Sequence, residues 1–578
     1  MNLKLTSFIY TLVMLLVCSC ETLDINPKNN PNALAPNAIE PDLLLNSVQL
    51  GMANVFNELS NEGSELTRMT HMFGPLYNNA YTPENLDGEW TSFYAGLLAD
   101  VEALIPAATE KELFTHVAIA KIAKAYAYTT LVDFFGDVPF AEAIKGNEGN
   151  TNPKRDASAD IYKACEVLLD EALADFDKTS ILPGNDLFFG GNTTDNVAKW
   201  RKLINTLKFR MYVQVSASST DPFGGAVAKA QALANDASLI SSEADDFAFT
   251  YGTNLANPDS RHPSYRGDYD NGASVYQSIG YMHRFTAAFA GANLDDPRLR
   301  YYFYRQETTN TTDVNEKRCV TQDKPSHFAA SDVFCQLTGP GVGYWGRDHG
   351  DAAGIPPDGL LRTIYGVYPV GGKFDYSQDT RGRQGSGAGG YGIAPIMLSS
   401  FVDFLRAEAA ITMGTGEDAR ALFEKGMRAS IAKTISFGTR DVDYNKVLLN
   451  EIDDPNTKED DGPDTSPKQK YEPSTTAINN YVNALLAGYD NPASLGYTNP
   501  LDVVVSEFYK AAYGNGIDIY NAFRRTGFPS RLQPTLIEGS GENGALMFYP
   551  AVYINTNSNA VQRVFGEKVF WQTLSGLK

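Results

Sequence analysis

Residues 121–140 read Lys-Ile-Ala-Lys-Ala-Tyr-Ala-Tyr-Thr-Thr-Leu-Val-Asp-Phe-Phe-Gly-Asp-Val-Pro-Phe, and this stretch decides the fold class. With Ala118 and Ala120 ahead of it, small side chains recur at Ala123, Ala125 and Ala127. Alanine is the best helix former, and at this density it lets neighbouring helices approach closely. Gly136 and Pro139 then supply a stop and a turn. The pattern predicts a buried helix over 116–135.

Working outward, apolar residues keep a helical period. Leu44, Val48, Met52, Val55, Phe56 and Leu59 form one stripe, and Trp90, Tyr94, Leu97, Val101 and Leu104 another, which places Trp90 in the core. Further helices are expected at 157–176, 195–216, 223–235, 395–413, 416–434, 474–488 and 500–526. Between 240 and 394 the chain turns rich in Gly, Asp, Tyr and Pro, with short strand-like pieces. A connection that long with little regular structure is usually functional, so a ligand surface is expected there. The helix pairs suggest a tetratricopeptide-like solenoid, although no consensus repeat recurs at that family's period of about 34 residues.

At the N-terminus, Lys4, an apolar run from Phe8 to Val17 and Val17-Cys18-Ser19-Cys20 describe a secretory leader over 1–19. The run is too short to span a bilayer. Its end resembles the bacterial lipobox, in which the cysteine, here Cys20, takes a diacylglycerol; two or three acyl chains hold firmly because each buried methylene contributes about 0.8 kcal/mol. Residues 20–42, rich in Asn and Pro, read as a lipidated tether, and the body is expected over 43–578: helix pairs to 239, the loop-rich part to 394, then C-terminal helices and loops.

A formal charge of −21 over 578 residues excludes nucleic acid as a partner and disfavours polyanions. Tyrosine and phenylalanine number 31 each against 4 tryptophans, a bias that suits surfaces both apolar and wet. Cys165 falls in a helical pattern and reads as buried. Cys319 and Cys335 are candidates for a disulfide closing a polar loop, which would stabilise it by about 3 kcal/mol.

Signs of catalysis are weak. The 6 histidines are scattered, with no pair at metal-ligand spacing on one helix face. Two GxGxxG matches, at Gly385-Gly387-Gly390 and Gly539-Gly541-Gly544, neither follow an apolar strand nor open a helix. The acidic run from Glu451 to Asp464 lacks the EF-hand ligand order, which leaves structural calcium open and a solvated loop the plainer reading. No enzyme and no cofactor are expected.

The opening stretch also carries a resemblance. Lys121–Tyr128 with Leu131–Phe140 resembles the helix and turn of SusD/RagB-like nutrient-binding outer-membrane lipoproteins. Lys199–Lys208, Asp296-Pro297-Arg298-Leu299, Phe404–Ala409, Arg524–Pro529 and Tyr549-Pro550 agree in order. The resemblance implies a mostly α fold of tetratricopeptide-like pairs in a right-handed scaffold with a large loop-rich insertion. It further implies a cell-surface, lipid-anchored lid on a SusC-like TonB-dependent transporter in the outer membrane. The cargo would be a glycan, with peptide as the alternative and a lipid-anchored hydrolase as the rival class.

No binding residue transfers by motif, so the candidates rest on chemistry. Sugar rings stack on aromatic faces while their hydroxyls meet polar groups. Tyr344, Trp345, Arg347, Asp348 and His349, set between Gly343, Gly346 and Gly350, form the first constellation; the alternative is a folded plug held by an Arg–Asp pair. Tyr77, Asn79 and Tyr81 form the second, and Tyr265, Tyr269 and Asp270 a weaker third.

Overall fold

The computed structural model describes residues 40–191, 193–270, 275–286, 294–352, 359–446, 466–539 and 546–574. The leader, Cys20, most of the tether and the run from Glu451 to Asp464 lie outside these residues.

The N-terminal part is built on α1 (Pro41–Leu66), α2 (Leu98–Glu110), α3 (Phe114–Phe135), α4 (Ser158–Phe176), α5 (Thr194–Val215) and α6 (Ala226–Ala234). The quoted stretch is the body of α3. Its alanines are all but inaccessible, and a helix without a polar face must be surrounded; α1, α2, α4 and α5 pack around it. Gly136 ends it at φ 66°, a backbone angle that a side chain resists. Just before the stop, buried Asp133 accepts hydrogen bonds from Tyr162 of α4, from Asn521 at 2.6 Å and from the indole of Trp571 at 3.1 Å. One carboxylate thereby ties α3 to three distant parts of the chain.

The loop-rich middle holds β1 (Phe247–Thr250), β2 (Phe303–Tyr304) and β3 (Ile364–Tyr365), and β4 (Ile393–Met397) closes it. β1 and β4 pair antiparallel, with Phe247 opposite Met397 and Thr250 opposite Ile393, so the two ends of the insertion are fastened at its base. β2 and β3 form a second small ladder inside it. Then follow α7 (Ser399–Met413), α8 (Ala419–Ser436), α9 (Thr475–Asp490), α10 (Pro500–Ala511) and α11 (Gly516–Thr526). Neighbours in sequence pair as α3 with α4, α5 with α6, α7 with α8 and α9 with α10, which is the tetratricopeptide-like scaffold. α11 returns across α1. There a Cβ on Gly63 would stand 2.4 Å from the Gly516 carbonyl oxygen, so the crossing requires glycine.

Three boundaries differ from those read in the sequence. The body begins before residue 43: Pro41 stands at the first turn of α1, where its missing N–H costs nothing, and Asp42 bonds His116 Nε2 at 2.8 Å. The 395–413 segment is strand, then helix. The 500–526 segment is two helices, broken at Gly514, where φ is 95°, and Asn515 caps the second by accepting from Asp518 N.

Candidate functional site

The 343–350 loop does not present its aromatics. Tyr344, Trp345, Arg347, Asp348 and His349 are all buried, because the glycines serve close packing: a Cβ on Gly346 would lie 1.8 Å from the Gln277 carbonyl oxygen. On either side of that contact the backbone is fixed, with Arg347 N donating to Gln277 O at 3.0 Å and Ile279 N to Arg347 O at 3.0 Å. The expected exposed constellation is therefore corrected to a built interior wall. It separates into two faces.

Tyr344 and His349 point into the protein. The Tyr344 hydroxyl donates to Asp375 at 2.7 Å, beneath the Arg305 guanidinium at 4.5 Å from its ring. His349 Nε2 meets the Tyr77 hydroxyl at 2.9 Å, and burial beside Arg68 and His71 holds its imidazole pKa well below the usual value. Tyr77 thus joins the first constellation, but inside the fold. Tyr81 turns away to donate to Glu65 at 3.1 Å, and Asn79 alone of that trio is exposed. Tyr265 and Tyr269 stack with centroids 4.4 Å apart, both buried, and Asp270 pairs with Arg261. Trp90 lies in the core against Tyr94, Phe135 and Tyr553.

Trp345, Arg347 and Asp348 face a cavity of about 120 Å³, lined further by Lys317, Arg318, Cys319, Gln322, Phe334, Asp351 and Leu536. The Lys317 ammonium lies 4.5 Å from the Trp345 ring centre, and the Arg347 guanidinium 4.5 Å from that of Tyr276. Arg347 also approaches Asp351 at 3.6 Å. Asp348 accepts from Cys335 N at 3.0 Å and from Gln533 Nε2 at 2.6 Å; burial still pushes its carboxyl pKa up to about 7. The indole N–H of Trp345 is buried with no hydrogen-bond partner among the described residues.

Cys319 and Cys335 are bonded, with Cα atoms 5.5 Å apart, and Cys165 is a buried free thiol. The disulfide brings the Lys317-Arg318 arm over the wall of Trp345. These two cations were missed in the sequence, although the Cys319–Cys335 pairing was the signal that could have placed them beside the glycine-rich loop. Among the described residues, no group of three or more His, Cys, Asp or Glu side chains could hold a metal ion.

Two family models match the chain. One, described as starch-binding and associating with the outer membrane, covers residues 31–336; the other, described as SusD and RagB outer-membrane lipoprotein, covers 393–564. The chain belongs to the SusD/RagB family. The fold agrees: a SusD homologue from Bacteroides fragilis superposes with a TM-score of 0.62 at 19% identity, covering 93% of this chain and 100% of that one. A chitin-binding protein gives 0.61 at 20% identity, with 93% and 100% covered. A SusD/RagB protein from Bacteroides thetaiotaomicron gives 0.61 at 18%, with 92% and 99% covered. A comparison with curated sequences returned no match. Among the described residues, no helix is long and apolar enough to cross a membrane.

Proposed function

We propose that this protein binds glycans at the cell surface and delivers them to a SusC-like TonB-dependent transporter, remaining attached through lipid on Cys20. The observation that carries the reading is the match of residues 31–336 to a family model described as starch-binding and associating with the outer membrane, beside the match of residues 393–564 to one described as SusD and RagB outer-membrane lipoprotein. A chitin-binding protein among its structural neighbours supports glycan over peptide cargo. The candidate contact is the cavity under Trp345, where an aromatic ring and convergent polar groups meet. Binding and release suffice for this role, so neither a nucleophile nor a cofactor is required.

The test is calorimetry and affinity electrophoresis of the soluble protein against a panel of neutral and acidic oligosaccharides and of peptides. At least one glycan is expected to bind and to be recovered intact. Binding confined to peptides, or cleavage products after incubation, would overturn the reading. Trp345→Phe, which keeps a ring but removes the N–H and narrows the face, is expected to weaken binding about tenfold, or 1.4 kcal/mol. Its thermal midpoint is measured alongside, because Trp345 is buried.

A further inference from the structure

Helix α5 carries two polar side chains into the core one turn apart, Arg210 and Gln214, which are 8% and 2% exposed. Both border two cavities on opposite sides of the helix. The first, of about 10 Å³, is bounded further by Tyr126, Thr129 and Asp133 of α3 and Tyr162 of α4. The second, also of about 10 Å³, is bounded further by Phe401 of α7, Phe508 of α10 and Asp518 and Arg525 of α11.

The charges that meet at this point are matched. Arg210 Nε lies 2.9 Å from Asp518, Arg525 holds both Glu408 oxygens at 2.6 and 2.9 Å, and Arg524 donates to the Asp133 carbonyl at 2.6 Å. Three arginines thus face the three carboxylates of Asp133, Asp518 and Glu408, and no further ion is called for.

Two donors nevertheless remain. Arg210 Nη2 and Gln214 Nε2 are buried without a hydrogen-bond partner among the described residues. Nη2 stands 3.7 Å from Asp133 Oδ2, close enough to attract and too far for a hydrogen bond. That oxygen has Asn521 as its one protein donor, at 2.6 Å, and a carboxylate oxygen has room for about two. Asp133 borders the first cavity alone. Gln214 differs: its oxygen accepts from Arg525 Nη1, which identifies the other end of the amide as the donor and places it toward Arg525, a residue that borders only the second cavity.

Water answers both needs, because it accepts from one group and donates to another, and it commonly bridges polar atoms held beyond about 3.5 Å. A buried water requires roughly 10–15 Å³ and two to four polar partners. Each cavity has space for one molecule at the lower bound, and each has polar groups on its wall.

We infer that α5 is a hydrated joint. One ordered water occupies the cavity against α3 and α4, accepting from Arg210 Nη2 and donating to Asp133 Oδ2. A second occupies the cavity against α7, α10 and α11, accepting from Gln214 Nε2, with Asp518 the acceptor on the same wall. The two complete the contact between the N-terminal helices and the C-terminal ones, which share α5 as their common face.

The experiment is a crystal structure of the soluble protein at a resolution that shows ordered solvent, repeated on a crystal pressurised with xenon, which enters dry apolar cavities. The expected result is one solvent peak within about 2.7–3.2 Å of both Arg210 Nη2 and Asp133 Oδ2, a second at that distance from Gln214 Nε2, and no xenon in either cavity. Absence of either peak, or xenon in either cavity, would overturn the inference. The apolar wall of Phe401 and Phe508 makes the dry outcome a real alternative for the second cavity. Gln214→Leu removes the second donor and leaves Arg525 on Glu408; it is expected to lose the second peak and keep the first. A second peak that persists in Gln214→Leu would overturn its assignment, and the parent crystals decide the question whether or not the variant folds.

Discussion

The helices before residue 240 and the segment from 240 to 394 both bury apolar side chains, yet they satisfy their backbones in different ways. In α3 the chain bonds to itself, so alanine, leucine and valine can close the core around it. The middle has few ladders, and side chains meet part of its backbone. Tyr269 donates to Tyr365 O at 2.7 Å and accepts from Lys373 N at 2.8 Å; Tyr265 reaches Ser386 O, Tyr304 reaches Thr380 O, and Gln306 reaches Arg362 O. A buried backbone group without a partner costs about 1–3 kcal/mol. The abundance of tyrosine is thus a structural answer to irregular backbone, and in this protein it marks the inside of the middle region more than a ligand surface.

The comparison breaks most sharply where the middle is fastened to the C-terminal helices. Arg298 is inaccessible and bonds Asp296 at 2.7 and 2.9 Å, Glu507 of α10 and Ser430 of α8; Lys510 bridges the same two carboxylates at 3.0 and 2.7 Å. These cations hold the Asp296 carboxyl well below the usual range despite its burial. In Arg298→Met two carboxylates share one lysine, and the expected loss is about 3–5 kcal/mol in urea unfolding. A loss below about 1 kcal/mol would mean that the middle region does not depend on this link.

A matched pair of variants sharpens the contrast. Leu131→Ala in α3 removes only apolar contacts and is expected to cost about 2–5 kcal/mol through the cavity it leaves, with protection of backbone amides lowered throughout the helical part. Tyr269→Phe keeps the ring and strands Lys373 N and Tyr365 O, for about 1–3 kcal/mol. Its signature is local: hydrogen exchange at Lys373 should accelerate beyond the change at α3. Uniform acceleration in both variants would argue that the two regions unfold as one and that their chemistry does not separate them.

The helical part was legible because its signal is periodic and local. α3, α4 and α5 fall within two residues of the segments read from the sequence, and Trp90 is in the core its stripe predicted. The 343–350 loop was not legible, for a definite reason. Glycine announces backbone freedom, but whether that freedom exposes a side chain or admits a neighbouring chain depends on Gln277, a contact with no trace in the loop itself. The pairing of β1 with β4 and the meeting of Lys317 with Trp345 are non-local in the same sense. Segments such as Asp296–Leu299 and Phe404–Ala409 were placed by likeness, and the structure gives their physical reason: Arg298 serves the buried ion network, and Glu408 grips Arg525 at 2.6 and 2.9 Å.

The smallest expected effect tests the helical side near the middle region. Glu58, Glu62 and Glu65 recur at helical spacing along α1, with Glu89 close by, and Tyr365 of the middle lies within reach of the Glu65 charge. Burial, reinforced around Glu58 and Glu62 by neighbouring carboxylates, raises these groups, Glu58 and Glu65 to about 7. A carboxyl whose pKa is higher folded than unfolded is best tolerated below pH 4.5; stability falls as pH climbs from there to about 7 and stays lowered above it. Glu65→Gln removes the charge and keeps an oxygen to accept the Tyr81 hydroxyl. It should therefore stabilise the protein by about 1–2 kcal/mol at pH 8 and leave it unchanged near pH 4. Equal thermal shifts at the two pH values would show that the gain comes from packing, and that the carboxylates on α1 do not set the acid dependence of this side of the fold.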